Sequence, residues 1–79
     1  MNWKNIKLPA GSKLLKVHNF TFMYQGSYYS IEIDEFNDNT FTGHGEHSTD
    51  KNYVIESVSA STLEGCLEAL VNKIQNRSA

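Results

Sequence analysis

His44, Glu46 and His47 form the tightest group of metal-competent side chains in the sequence. In an extended backbone His44 and Glu46 share one face, and His47 turns to the other. The pair would take a cation if His18 or Asp50 joined it. A zinc site, however, uses three or four protein ligands, and this spacing matches no H-E-x-x-H helix. The expectation is a polar strand rim without a resident metal. Cys66, the sole cysteine, falls on an apolar helical stripe. Burial there disfavours the thiolate that a nucleophilic pair with His44 or His18 would require. The run Asp34-Glu35-Phe36-Asn37-Asp38 lacks the D-x-D-x-D-G frame of a calcium loop and reads as a solvated turn. Gly43-x-Gly45 is too short to cradle a phosphate, and no nucleophile elbow accompanies triad partners. These residues point away from an enzyme and call for no cofactor.

Charge is unevenly spread. Residues 1–31 contain Lys4, Lys7, Lys13 and Lys16 and no acid, whereas 32–79 contain nine acids against Lys51, Lys73 and Arg77. A basic segment next to aromatic residues is a candidate nucleic-acid contact. Against it stand the missing arginine among the four lysines and a net charge of −2, a poor basis for phosphate-driven binding. Cross-strand pairing, with Lys16 facing Glu35, accounts for the lysines more simply. The acidic remainder suits a basic protein surface.

The elements that must carry these groups follow from periodicity. Leu63, Cys66, Leu67, Leu70, Val71 and Ile74 draw one stripe along a helix over 61–76. Ser61 with Glu64 reads as its capping box. Upstream the period is two. Phe20, Phe22 and Tyr24 alternate with Asn19, Thr21 and Met23, and Tyr29, Ile31 and Ile33 alternate with Ser30, Glu32 and Asp34. Gln25-Gly26 lies between them. An even loop, of two or four residues, keeps both apolar rows on one face. Asn37-Asp38-Asn39-Thr40 is a turn, 41–47 an extended glycine-bearing stretch, and 53–59 the last strand. Gly43 and Gly45 share a face, which marks a close approach by another backbone such as the helix. Trp3, Ile6 and Leu8 belong to an N-terminal arm ending at Pro9-Ala10-Gly11-Ser12.

The result is one α+β domain: an arm over 1–12, an antiparallel meander of three or four strands over 13–60, and a helix on one face. At 79 residues and 8.9 kDa it has room for one core, and a chain this small gains stability by dimerising or docking. A single cysteine fits a reducing, cytoplasmic setting, and no apolar run is long enough to span a membrane.

From Ser61 to Leu70 the chain resembles the strand-to-helix junction of HicB-type antitoxin domains, where a meander runs into a helix opening on a Thr-Leu-Glu-like step. The likeness rests on helix-start residues over that stretch alone, and no family assignment follows from it. Double-stranded-RNA-binding domains are similar in their order of strands then helix. Their helices open on lysines, where this one has Glu64 and Glu68.

One helix covers one face of a sheet, so the other meets water or a partner. That face should carry Thr21, Ser30, Glu32 and Asp34, with Met23, Tyr28, Phe36 and Val17 or Leu15 as apolar anchors. Trp3, Met23, Tyr28, Glu32 and Phe36 are therefore the candidate docking residues. The expected function is a non-catalytic protein-interaction module acting as a homodimer or as a regulator or inhibitor of a larger complex. Small proteins of this kind are common in bacterial and phage genomes. The alternatives are nucleic-acid binding through Lys4, Lys7, Lys13 and Lys16, and metal-dependent activity at His44, Glu46 and His47.

Overall fold

The computed structural model describes residues 2–78. A 3-10 turn, η1 (Trp3–Asn5), precedes four strands: β1 (Leu15–Tyr24), β2 (Ser27–Phe36), β3 (Phe41–His47) and β4 (Val58–Ala60). The helix α1 (Leu63–Ser78) follows them. The strands form one antiparallel sheet in the order β1-β2-β3-β4, with the helix as a second layer. This is the expected α+β meander, with four strands.

Gln25 and Gly26, at φ 49° and 78°, form the two-residue primed turn that matches strand twist. Glycine takes the left-handed conformation without a Cβ clash. The turn sets Tyr24 opposite Ser27, Phe22 opposite Tyr29 and Phe20 opposite Ile31, the shorter of the two even-loop registers. At the next turn the Asp38 carboxylate accepts from the Thr40 backbone N–H at 3.1 Å and from its hydroxyl at 2.6 Å.

Two expectations need correction. The last strand is Val58–Ala60, not 53–59. Gly43 pairs with Val58 while Glu46 bridges Val54, so the returning chain carries one extra residue between those contacts. Tyr53 and Ile55 pack towards the core, as do Val58 and Ala60. A change from odd to even inward positions requires a bulge-like break. The helix cap also lies one residue later than expected. Thr62 Oγ1 accepts from Gly65 N–H at 3.0 Å, so Ser61 and Glu64 form no capping box.

Tyr29, Ile31, Ile33 and Phe41 from the sheet and Cys66, Leu70 and Ile74 from the helix make the buried core. The helix comes closest at Gly43, as its lack of a side chain allows. A Cβ at that position would lie 2.6 Å from Leu70 Cδ1 and 2.9 Å from Cys66 Sγ. Burial also pushes the Cys66 thiol above its ordinary pKa. The helix packs over β2, β3 and β4. On β1 the helix-facing Phe20 stays 37% exposed. The molecule measures 45 × 22 × 20 Å, because ten-residue strands run on past the part of the sheet the helix covers.

Substituting Gly43 tests the seating of the helix. Gly43→Ala is expected to destabilise the protein by about 1–3 kcal/mol through overpacking. That corresponds to a fall in Tm of about 4–8 °C for each kcal/mol, read by thermal circular dichroism. Gly45→Ala, whose Cβ would meet the Ile55 side chain at 3.3 Å and the Ser30 carbonyl at 3.8 Å, should be tolerated better.

Candidate functional site

Residues directly opposite one another across the ladder share a face, so the register fixes the composition of the face turned away from α1. At the hairpin end Met23 stands opposite Tyr28, and they are 67% and 57% exposed. In the middle Asn19, Glu32 and His44 form a row across three strands, next to Ser30 and Glu46. At the far end Leu15 faces Phe36 and Val17 faces Asp34. Leu15 and Val17 both belong to this face, where one or the other was expected. Apolar anchors thus sit at both ends and acids in the centre.

A shallow depression of ≈ 340 Å³ lies at that centre, lined by Asn19, Thr21, Ser30, Glu32, His44 and Glu46 among others. At its margin His44 Nε2 lies 3.5 Å from Asp34 Oδ2. The other carboxylate oxygen, Asp34 Oδ1, is buried without a hydrogen-bond partner among the described residues. A buried acceptor left open in this way costs free energy relative to a paired one. The Glu46 carboxylate lies 3.7 Å from Lys51 Nζ across exposed solvent, a contact of little energetic weight.

The metal-competent residues do not converge. His44 and Glu46 share the open face, as their spacing implies, and His47 points the other way. There its ring packs edge-on against Tyr29 at 5.1 Å and lies 5.5 Å from Tyr53. His47 Nδ1 accepts from the backbone N–H groups of Thr49 at 3.2 Å and Asp50 at 3.0 Å, which makes it a turn cap. His18 lies on the helix side against Glu35, and the Asp50 carboxylate accepts from Asn52 N–H at 3.0 Å. Among the described residues no three His, Cys, Asp or Glu side chains gather to hold an ion.

The N-terminal arm crosses the helix side of the sheet, not the open face. Lys4 Nζ reaches Glu35 Oε2 at 2.7 Å and Asn39 Oδ1 at 2.5 Å. It also stands 5.7 Å from the Trp3 ring and 5.9 Å from the Phe41 ring. Trp3 is half-buried beside this lysine, apart from Met23, Tyr28, Glu32 and Phe36. Lys16 does stand opposite Glu35 in the register. The ion pair goes instead to Lys4, with His18 Nε2 at 2.8 Å on the other oxygen. Lys4 first, then His18, hold the Glu35 carboxyl below its ordinary pKa. Thr40 does the same for Asp38, with a smaller contribution from Lys13. The sequence marks Lys4 as a candidate nucleic-acid contact but not its pairing with Glu35, because that partner lies 31 positions away with no spacing rule to link them.

No family model matches the chain, and no curated protein or solved structure matches it either. Among the described residues no helix is long and apolar enough to cross a membrane.

The clamp at Glu35 has a pH signature. A carboxylate whose folded pKa lies below its ordinary 4.5 contributes its stability in full above that value. The contribution fades as pH falls through the folded pKa. Glu35→Gln should therefore lower Tm near neutral pH, and the gap to the unaltered protein should narrow as pH falls progressively below 4.5. Denaturation of both proteins across that range checks it. Lys4→Ala should show the same closing gap, and the two losses should not add.

Proposed function

We propose that this chain is a small, non-catalytic interaction module that docks on a protein partner through the sheet face opposite α1. The observation that carries the reading is the exposed Met23–Tyr28 pair at one end of a surface whose centre holds Glu32 and Glu46. Exposed aromatic and methionine side chains are the usual anchors of protein interfaces. The exposed carboxylates Glu32 and Glu46 favour a partner that brings lysine or arginine to the centre. Leu15, Val17 and Phe36 extend the apolar contact at the far end. Regulation or inhibition of a larger complex suits such a surface, because it occupies a partner without needing a catalytic cleft. The nucleic-acid alternative is weakened by Lys4, whose ammonium is held by Glu35 and Asn39 on the helix side.

Affinity capture from the source cells, with the unaltered chain and with Tyr28→Ala as paired baits, tests the reading. A protein retained by the first should be retained at least about tenfold less by the second, the loss expected of an interface anchor. Glu32→Lys should weaken the same complex through its charge. A partner held equally by all three baits, at unchanged Tm, would overturn the open-face reading.

A further inference from the structure

β1 is an edge strand, and the structure shows which of its main-chain groups are free. Phe36 N–H donates to Thr40 O at 2.9 Å and Ser48 N–H to Tyr28 O at 3.0 Å. The even-numbered residues of β2 therefore bond towards β3, and its odd-numbered residues bond towards β1. Their partners on β1 are Lys16, His18, Phe20, Phe22 and Tyr24. In an antiparallel ladder the alternate residues point their polar groups the other way. The N–H and C=O groups of Leu15, Val17, Asn19, Thr21 and Met23 thus face the open edge. The backbone hydrogen bonds of the N-terminal arm are local, joining Asn5 to Asn2, Ile6 to Trp3 and Ser12 to Pro9.

Edges of this length are ordinarily protected by proline, a bulge, inward charges or a covering loop. Here ten residues run in unbroken register, and the chain's single proline is Pro9. The strand's one lysine, Lys16, lies near one end, at a position whose polar groups are already bonded to β2. On the helix side Phe20 is 37% exposed, and on the open face Met23 is 67% exposed. Both lie along this edge.

We propose that β1 pairs antiparallel with β1 of a second copy about a two-fold axis through Asn19, joining two four-stranded sheets into one of eight. Only edge-facing residues can exchange bonds with edge-facing residues, so the axis must pass through a residue and not between two. An axis at Asn19 engages all five edge-facing positions, with about ten main-chain hydrogen bonds. An axis at Phe20 leaves Leu15 outside the ladder. In the Asn19 register Leu15 meets the second copy's Met23, and Val17 meets its Thr21. The two Asn19 amides face each other. On the helix side Lys16 stands opposite the second copy's Phe22, a cation beside an aromatic ring, and His18 stands opposite its Phe20. The two copies of Lys16 are about 20 Å apart, so no like charges oppose one another. The pattern is self-complementary, which a two-fold interface requires. It stands on the strand edge and not on the open-face reading, so each can fail alone.

Sedimentation equilibrium over about 1–300 μM, the range of a modest association, should show a monomer converting to a dimer. Asn19→Pro removes an edge-facing N–H that points away from β2 in the β1–β2 ladder. It should leave the protein folded and monomeric throughout. Val17→Lys combined with Thr21→Lys sets ammonium groups opposite one another on both sides of the axis and should also abolish the dimer. Val17→Lys combined with Thr21→Glu sets opposite charges there and should keep it. Tyr28→Ala, which alters the open face but not the edge, should dimerise as the unaltered chain does. A protein monomeric at every concentration overturns the proposal, as does an Asn19→Pro variant that dimerises normally. Equal behaviour of the two charge variants overturns the Asn19 register.

Discussion

The contact on which the rest of the structure depends is the seating of α1 on β3 at Gly43. With no side chain there, Leu70 and Cys66 come down onto the backbone of β3, and the helix centres over that strand. A helix with its side chains is about 10 Å across, and strands are about 4.8 Å apart. One helix therefore shelters about two inter-strand gaps. Placed over β2, β3 and β4, it has no width left for β1. The exposure of Phe20, the elongated outline and the unprotected edge all follow from where the helix sits.

Both faces of the sheet hold acids, but in different states. On the helix side Glu35 is satisfied twice over, by Lys4 and by His18, and the arm is fixed as a result. On the open face Asp34 has one oxygen near His44 and the other buried, with no hydrogen-bond partner among the described residues. Glu32 and Glu46 lie in the same central region. Net charge conceals this difference. The basic N-terminal segment is partly used up inside the fold, while the acidic centre of the open face remains available to a cation from elsewhere.

Much of this was readable from residue order, and the exceptions have physical causes. The stripe from Leu63 to Ile74 marks the helix, and Tyr29, Ile31 and Ile33 mark the central strand, because each pattern keeps one phase. β1 does not. Its apolar residues are odd-numbered at Leu15 and Val17 and even-numbered at Phe20, Phe22 and Tyr24, so its first half does not read as the same strand. The phase changes on a strand that lies beyond the helix, where neither face is fully dry. The returning strand after Asn52 fails for a related reason, since the extra residue before Val58 shifts which positions face inward. Met23, Tyr28, Glu32 and Phe36 were placed on the open face by parity alone. Trp3 was not, because nothing local announces that Lys4 will reach Glu35. The one-residue displacement of the helix cap reflects two adjacent hydroxyl residues, Ser61 and Thr62, either of which could have served.

The off-centre helix also divides the molecule into two tiers of cooperativity. Strands β2 to β4 and the helix share one dry interior, so they open together or not at all. The outermost strand is anchored by its ladder to a single neighbour, by the tilted contact of Phe22 with Tyr29 and by His18 on Glu35. It can peel away at a fraction of the global unfolding free energy. Any molecule that grips its free rim would lend it the rigidity that the rest of the fold does not provide.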